Sequence, residues 1–184
     1  MKRTAATLLT LLALLATVRA ETFSGNLLVR PDWTHKKIGA TTASEAFSAL
    51  YNVTHTSGTS TNQMDQLWVS RRVLAATTEE TIDLAGGITN SFGTVLTVAR
   101  VKMIAVAPVS TNAGPLHVGG AASDTFDTWV GDATDKVEVR AGGFLLIVAP
   151  DATGYGVSTN GNLSVSNTAA TASTYDIYIG GASQ

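Results

Sequence analysis

Four aspartates within twelve residues are the first group in the sequence whose type and spacing could bind a ligand. They are Asp124, Asp127, Asp132 and Asp135. Carboxylate oxygens are ligands that Ca²⁺ prefers in proteins, so the cluster is a candidate calcium site. However, its spacing does not match the EF-hand loop, and aspartate is common at turns. We therefore predict turn residues in preference to a metal site, and no cofactor.

The side chains that carry catalysis do not form a recognisable motif in this sequence. His35, His55 and His117 lie far apart, and none belongs to an H-x-H or H-E-x-x-H pattern. No serine lies in the G-x-S-x-G pattern of a nucleophile elbow, and the paired glycines are not followed by the Lys of a phosphate-binding loop. The sequence therefore gives no reason to predict an enzyme.

The segment "VGDATDKVEVRAGGFLLIVAPDATGY", residues 130–155, contains Asp-Ala-Thr twice. An aspartate side chain at a turn entry accepts hydrogen bonds from amides further along, and glycine tolerates positive φ. We predict that each copy is a turn, with a half-exposed strand over "KVEVR" and a buried central strand over "FLLIVAP" between them. The predicted turn residues are Asp132, Gly142, Gly143, Asp151 and Gly154.

The remaining chain is divided into short runs of β-type residues by Gly-rich turns, with no sustained helical period after residue 21. Strands are predicted over several such runs, including "EETIDL", "FDTWVG", "NLSVSN" and "TYDIYIG", and a helical turn near residues 42–50 is an alternative. The run "VLTVARVKMIAVAP", residues 95–108, predicts a central strand that is either polar at its middle or bent by a bulge. The pattern indicates an all-β fold, an antiparallel β-sandwich of jelly-roll type.

Aromatic residues are the last group that could bind a ligand. They could form a stacking platform for sugars, although in a sandwich such side chains more often fill the core. The residues concerned are Trp33, Trp68, Trp129, Tyr155, Tyr175 and Tyr178.

Residues 1–20, "MKRTAATLLTLLALLATVRA", differ in composition from the rest. Two basic residues precede a short apolar run and a small-x-small site, which is the pattern of a secretory signal peptide. Two alternatives are a later start at Val18 and a retained helix with apolar residues at heptad spacing. Residues 21–184 are predicted to form a single β-sandwich domain, without stable membrane association after processing.

The composition excludes other classes of protein. Charged residues make up only 14% of the chain, the net charge is −2, and cysteine is absent. Disulfides and cysteine-bound metals are therefore excluded, and no basic patch is large enough to predict nucleic-acid binding.

Three segments carry a family resemblance: "DLAGGITNSFGTVLTVARVKMI", the segment 118–155 that ends in "DATGY", and the C-terminal "TYDIYIGG". From about residue 45 to 184 the chain resembles a family of small structural proteins of tailed bacteriophages, most specifically over residues 118–155. The resemblance implies a non-enzymatic virion component, such as a capsid decoration, head-fibre or tail accessory protein. Its partners would be major capsid or tail proteins.

Copies of such a protein would also be expected to associate, and a trimer is predicted because capsid axes favour symmetric assembly. The virion is then the expected location. The alternative takes the signal-like segment at face value and predicts a secreted carbohydrate-binding or adhesive sandwich. A filament or surface-layer subunit is a third hypothesis.

Overall fold

The computed structural model describes residues 22–37, 43–157 and 161–184, and every regular element in them is a β-strand. The predicted N-terminal segment 1–20 lies outside the described residues. The strands are β1 (Ser24–Val29), β2 (Asp32–Lys37), β3 (Ala43–Ser48), β4 (Tyr51–Ser57), β5 (Gln63–Met64), β6 (Gln66–Leu74), β7 (Glu79–Asp83), β8 (Ile88–Thr89), β9 (Val95–Leu96), β10 (Arg100–Pro108), β11 (Leu116–Val118), β12 (Val137–Val139), β13 (Leu145–Val148), β14 (Tyr155–Gly156), β15 (Asn162–Asn167) and β16 (Ser173–Ala182).

Two antiparallel sheets form the body of the protein. The larger has the order β13-β10-β16-β6, with β14 also paired to β10, and the smaller has the order β12-β11-β15-β7. Inward-facing apolar residues from both sheets, such as Ile104 and Ile177 from one and Leu116 and Val165 from the other, belong to a single buried cluster. The prediction of an all-β fold with antiparallel sheets packed as a sandwich is confirmed. The jelly-roll connectivity stays a prediction.

The longest apolar run, residues 95–108, contains a bulge. A bulge was one of the two alternatives predicted for this run. In β10 the pairing with β16 shifts register between Val101 and Met103. Val101 and Lys102 are both fully buried, whereas Ile104 and Val106 return to simple alternation. A bulge adds one residue to a strand, and here it turns a lysine into the interior.

The prediction that "FLLIVAP" forms a central strand is wrong. Its strand, β13, lies at the edge of the larger sheet and, among the described strands, pairs only with β10. The run is apolar on both faces because Leu145 packs against the sandwich core while Leu146 and Val148 lie on the outer face, near residues of β1 and β4. Strands β1 and β4 cover the outer face of β13. This cover explains why both faces of the strand are apolar although it lies at the edge of the sheet.

Two further predictions are corrected. Residues 126–131, "FDTWVG", form turns and no strand, and Trp129 Nε1 donates a hydrogen bond to the Phe126 carbonyl at 3.0 Å. The alternative of a helical turn near 42–50 is also wrong, because β3 occupies residues 43–48.

The first four strands form a long antiparallel ribbon outside the two sheets of the body. β1 pairs with β4 and β2 pairs with β3. The Ala49 amide donates to the Pro31 carbonyl at 3.2 Å, which joins the two ladders. We call this ribbon, residues 24–37 and 43–57, the arm. Its base is β1 and β4, and its tip is β2 and β3.

Candidate functional site

Among the four clustered aspartates, Asp132 stabilises a turn through its carboxylate. Asp132 Oδ1 accepts hydrogen bonds from the Thr134 amide at 3.0 Å and the Thr134 hydroxyl at 2.9 Å. These bonds hold the pKa of Asp132 below its usual value. The Asp135 amide closes the same turn on the Asp132 carbonyl. In the described parts of the chain, no three His, Asp or Glu side chains are grouped to bind a metal ion.

The second Asp-Ala-Thr turn has the same chemistry. Asp151 Oδ1 accepts hydrogen bonds from the Thr153 amide at 2.7 Å and the Gly154 amide at 2.9 Å, and these lower the pKa of Asp151. Gly154 has φ of +60°, as the turn assignment required. In the "AGG" turn Gly142 has φ of +75°, and the Gly143 amide donates to the Arg140 carbonyl at 2.8 Å.

The two histidines with described side chains lie on different sheets, His55 on β4 of the arm and His117 on β11 of the smaller sheet. His117 Nε2 lies 3.8 Å from Glu138 Oε2 on the neighbouring strand, and its Nδ1 is buried without a hydrogen-bond partner. His55 lies at the arm base and is only 2% exposed, and its Nε2 has no hydrogen-bond partner in the part of the chain that the structure describes. His35 lies on β2, at the arm tip.

Most of the aromatic residues considered for sugar binding contribute to the core instead. Trp68 and Tyr175 are buried, and Trp129 and Tyr155 pack against the core cluster. Trp33 is different: it is 64% exposed at the arm tip and stacks on Phe47, with ring centroids 5.8 Å apart. Tyr178 is partly exposed on the outer face of the larger sheet.

Sequence reasoning missed a polar network between the two sheets. Tyr175 of β16 is fully buried, and its hydroxyl donates to Glu80 Oε1 on β7. Arg72 of β6 donates to Glu80 Oε2 through Nη2 at 2.5 Å and Nε at 3.2 Å. Burial, and then the neighbouring Glu80, raise the pKa of Tyr175, so it remains a neutral donor. The only sign of this network in the sequence is the alternation in β7, which places Glu80 on the same face as Ile82.

The arm tip is exposed on both faces. All side chains described in it, at residues 32–34 and 44–48, are exposed, including Trp33 and Phe47. An isolated two-stranded hairpin is marginally stable in water, and clustered exposed aromatics are typical of contact surfaces. The tip is therefore a candidate interaction element.

The arm base, in contrast, lies over the outer face of the larger sheet. Leu27, Val53 and His55 face inward, and they share grooves with Met103 and Val148 of the body.

The chain that follows the arm base is tied to the body at three points. The Asn62 amide donates to the Pro150 carbonyl at 2.7 Å, and the Asp65 amide donates to the Gly181 carbonyl at 3.1 Å. Met64 is buried against Gly180, where an added Cβ would lie 2.6 Å from the Met64 sulfur. The base of the arm is therefore fixed to the body, whereas its tip is exposed to solvent.

Comparison with protein-family models, with curated proteins and with solved structures finds no match to this chain. The described residues contain no helix long and apolar enough to cross a membrane. The class that the geometry itself defines is an all-β protein with a β-sandwich body and a projecting two-stranded arm.

Proposed function

We propose that this protein is a non-enzymatic structural component of a tailed-bacteriophage virion: a capsid decoration protein or a head or tail accessory. It contacts major capsid or tail proteins and associates with copies of itself. The exposed arm tip is the observation that carries this proposal, because an extended β-ribbon with aromatic side chains on its surface suits attachment to a neighbouring subunit. The resemblance of residues 45–184 to structural proteins of tailed bacteriophages is our reason for proposing a phage particle.

Two further features of the chain support an assembly role. The outer face of the larger sheet carries exposed Val69, Val73 and Tyr178, and Val69 and Tyr178 also line the groove at the arm base. Strand β6 is also a nine-residue edge strand that pairs only with β16 within the larger sheet. Open edges and apolar faces are surfaces through which β-proteins associate.

The first experiment is mass spectrometry of gradient-purified particles, alongside the membrane and secreted fractions of the producing cells. We expect this protein in the particles at a copy number comparable to that of a capsid or tail protein. Its presence only in the secreted fraction would contradict the virion proposal.

The role of the arm tip is tested separately with a Trp33→Ser, Phe47→Ser double variant. We expect the variant to fold with the melting temperature of the wild type within a few degrees but to lose incorporation into particles. Phe92→Ser is the matched control, because Phe92 is also exposed (81%) but lies in a loop outside the arm. Equal incorporation of both variants would show that the arm tip is not the attachment element.

A second candidate function is favoured by the same Trp33–Phe47 pair. Exposed stacked aromatic rings offer a face for a sugar ring, which suits a secreted carbohydrate-binding or adhesive module. Glycan-array binding that disappears in Trp33→Ser, together with absence from particles, would select this function over the virion role.

A further inference from the structure

The arm base contains a buried histidine with an unsatisfied ring nitrogen. His55 faces the body from β4, opposite Gly25 of β1, which has no side chain to cover it. The groove around it is lined mainly by apolar residues such as Leu27, Met64 and Met103, and its polar members are Ser24, Asn26 and Tyr178. Because Nε2 is inaccessible to solvent and has no hydrogen-bond partner among the described residues, burial favours the neutral ring.

The bulge in β10 brings a second basic group to the same region. Lys102 is fully buried, and its ammonium donates to the carbonyl of Asp151. None of the ion pairs among the described residues includes Lys102 or His55. A protonated His55 would therefore meet a like charge and no carboxylate partner.

The other charged groups around this region are already engaged. Arg100 of β10 donates to the carbonyls of Ala152 and Thr59. The Asp151 carboxylate is exposed and accepts bonds from two amides of its own turn. Asp65, between β5 and β6, accepts hydrogen bonds from the amide and hydroxyl of Ser183.

We propose that His55 is a proton-sensitive latch that holds the arm base on the body when neutral and releases it when protonated. Release would uncover the apolar outer face of the larger sheet at Met64, Met103 and Val148. The latch acts on the base of the arm, so it does not depend on what the tip binds.

The direction of the pH dependence follows from the two states of the arm. Burial, and secondarily the charge of Lys102, lower the pKa of His55 below 6.5 when the arm is seated. In the released arm the ring is in water and has its ordinary pKa. The seated state therefore binds fewer protons and is unaffected above about pH 6.5. It loses stability as the pH falls from there towards the lowered pKa.

The test is hydrogen exchange by mass spectrometry on the full-length protein between pH 8 and pH 5, corrected for intrinsic exchange rates. We expect peptides that cover β1 and β4 to lose protection below pH 6.5, by at most about tenfold per pH unit, since one proton is linked. Peptides that cover β16 should keep their protection. In His55→Gln, arm protection should no longer change with pH beyond about twofold, because no group remains to take up the proton.

His35→Gln and His117→Gln are the matched controls, because they remove the other two histidines and should retain the wild-type pH dependence. A second variant, Lys102→Met, removes the like charge, so the pKa of the seated His55 ring should rise towards 6.5 and the total loss of arm protection below pH 6.5 should be smaller than in the wild type. NMR titration of the His55 ring in the wild type measures its pKa without any substitution. Constant arm protection in the wild type, an unchanged pH dependence in His55→Gln, or a His55 pKa at or above 6.5 would each overturn the proposal.

Discussion

At the scale of single residues, the side chains that first suggested a metal site act on their own backbone. Asp132 and Asp151 each accept an amide hydrogen bond from two residues further on, so the shared Asp-Ala-Thr sequence produces a shared turn. The turn chemistry could be predicted because it depends only on near neighbours in the chain. The burial of Lys102, whose ammonium donates to the Asp151 carbonyl, could not be predicted in this way. It depends on the bulge in β10, which is distant from Asp151 in the sequence.

Replacement of Asp151 by Ala should lower the melting temperature, because the Thr153 and Gly154 amides lose their acceptor. The pKa of Asp151 is held below 3.8 by those amides, so its contribution to stability is present above that pH. It is lost as the pH falls through the lowered pKa. The melting temperatures of the wild type and the variant should therefore differ at pH 7 and become similar in strong acid. Asp151→Asn keeps an acceptor oxygen and should retain part of the stability at pH 7. A variant as stable as the wild type at pH 7 would show that the turn does not need the carboxylate.

Gly154→Ala should destabilise the protein by about 1–2 kcal/mol or more, because a non-glycine residue at positive φ is strained. An added Cβ would also lie only 2.8 Å from the Val101 carbonyl oxygen. Gly156→Ala is the matched control two residues later, where no atom lies within 4 Å of the added Cβ. Urea denaturation measures both. Equal stability of the two variants would contradict the close approach at Gly154.

At the scale of elements, the strands were predictable where alternation and turns were clear, as for β7, β12, β15 and β16. The position of a strand in a sheet was not. The run that became β13 is apolar on both faces because the arm covers its outer side, and local periodicity does not distinguish such cover from a central position. The burial of His55 was missed for the same reason, since it lies in a Thr-rich segment whose cover comes from a distant part of the chain.

The polar network joins three strands of both sheets, and Tyr175→Phe tests it. The substitution removes the hydroxyl that donates to Glu80 while Arg72 still neutralises the carboxylate. We expect a loss of about 1–2 kcal/mol in the free energy of unfolding, measured by urea denaturation. Glu80→Ala should cost more, because it leaves both the buried hydroxyl and Arg72 without their acceptor. A smaller effect of Glu80→Ala than of Tyr175→Phe would show that Glu80 is not the centre of the network.

At the scale of the whole molecule, the body and the arm have different sources of stability. The described core cluster begins at Trp68 and includes no residue of the arm. The arm base, in contrast, depends on the outer face of the larger sheet for its burial. From this division we expect a body that folds without the arm and an arm that can be seated or released.

A chain truncated to residues 60–184 tests this division. We expect it to unfold cooperatively, because its sandwich core is intact, and to bind a hydrophobic dye more strongly than the full chain. The dye should report the outer face that β1 and β4 normally cover at Met103, Leu146 and Val148. The substitutions Leu146→Ser and Val148→Ser in the truncated chain should remove the additional dye binding. The cooperative unfolding transition should be retained. If the truncated chain is unfolded, the arm is part of the folding unit, and its release at low pH would then be accompanied by unfolding of the body.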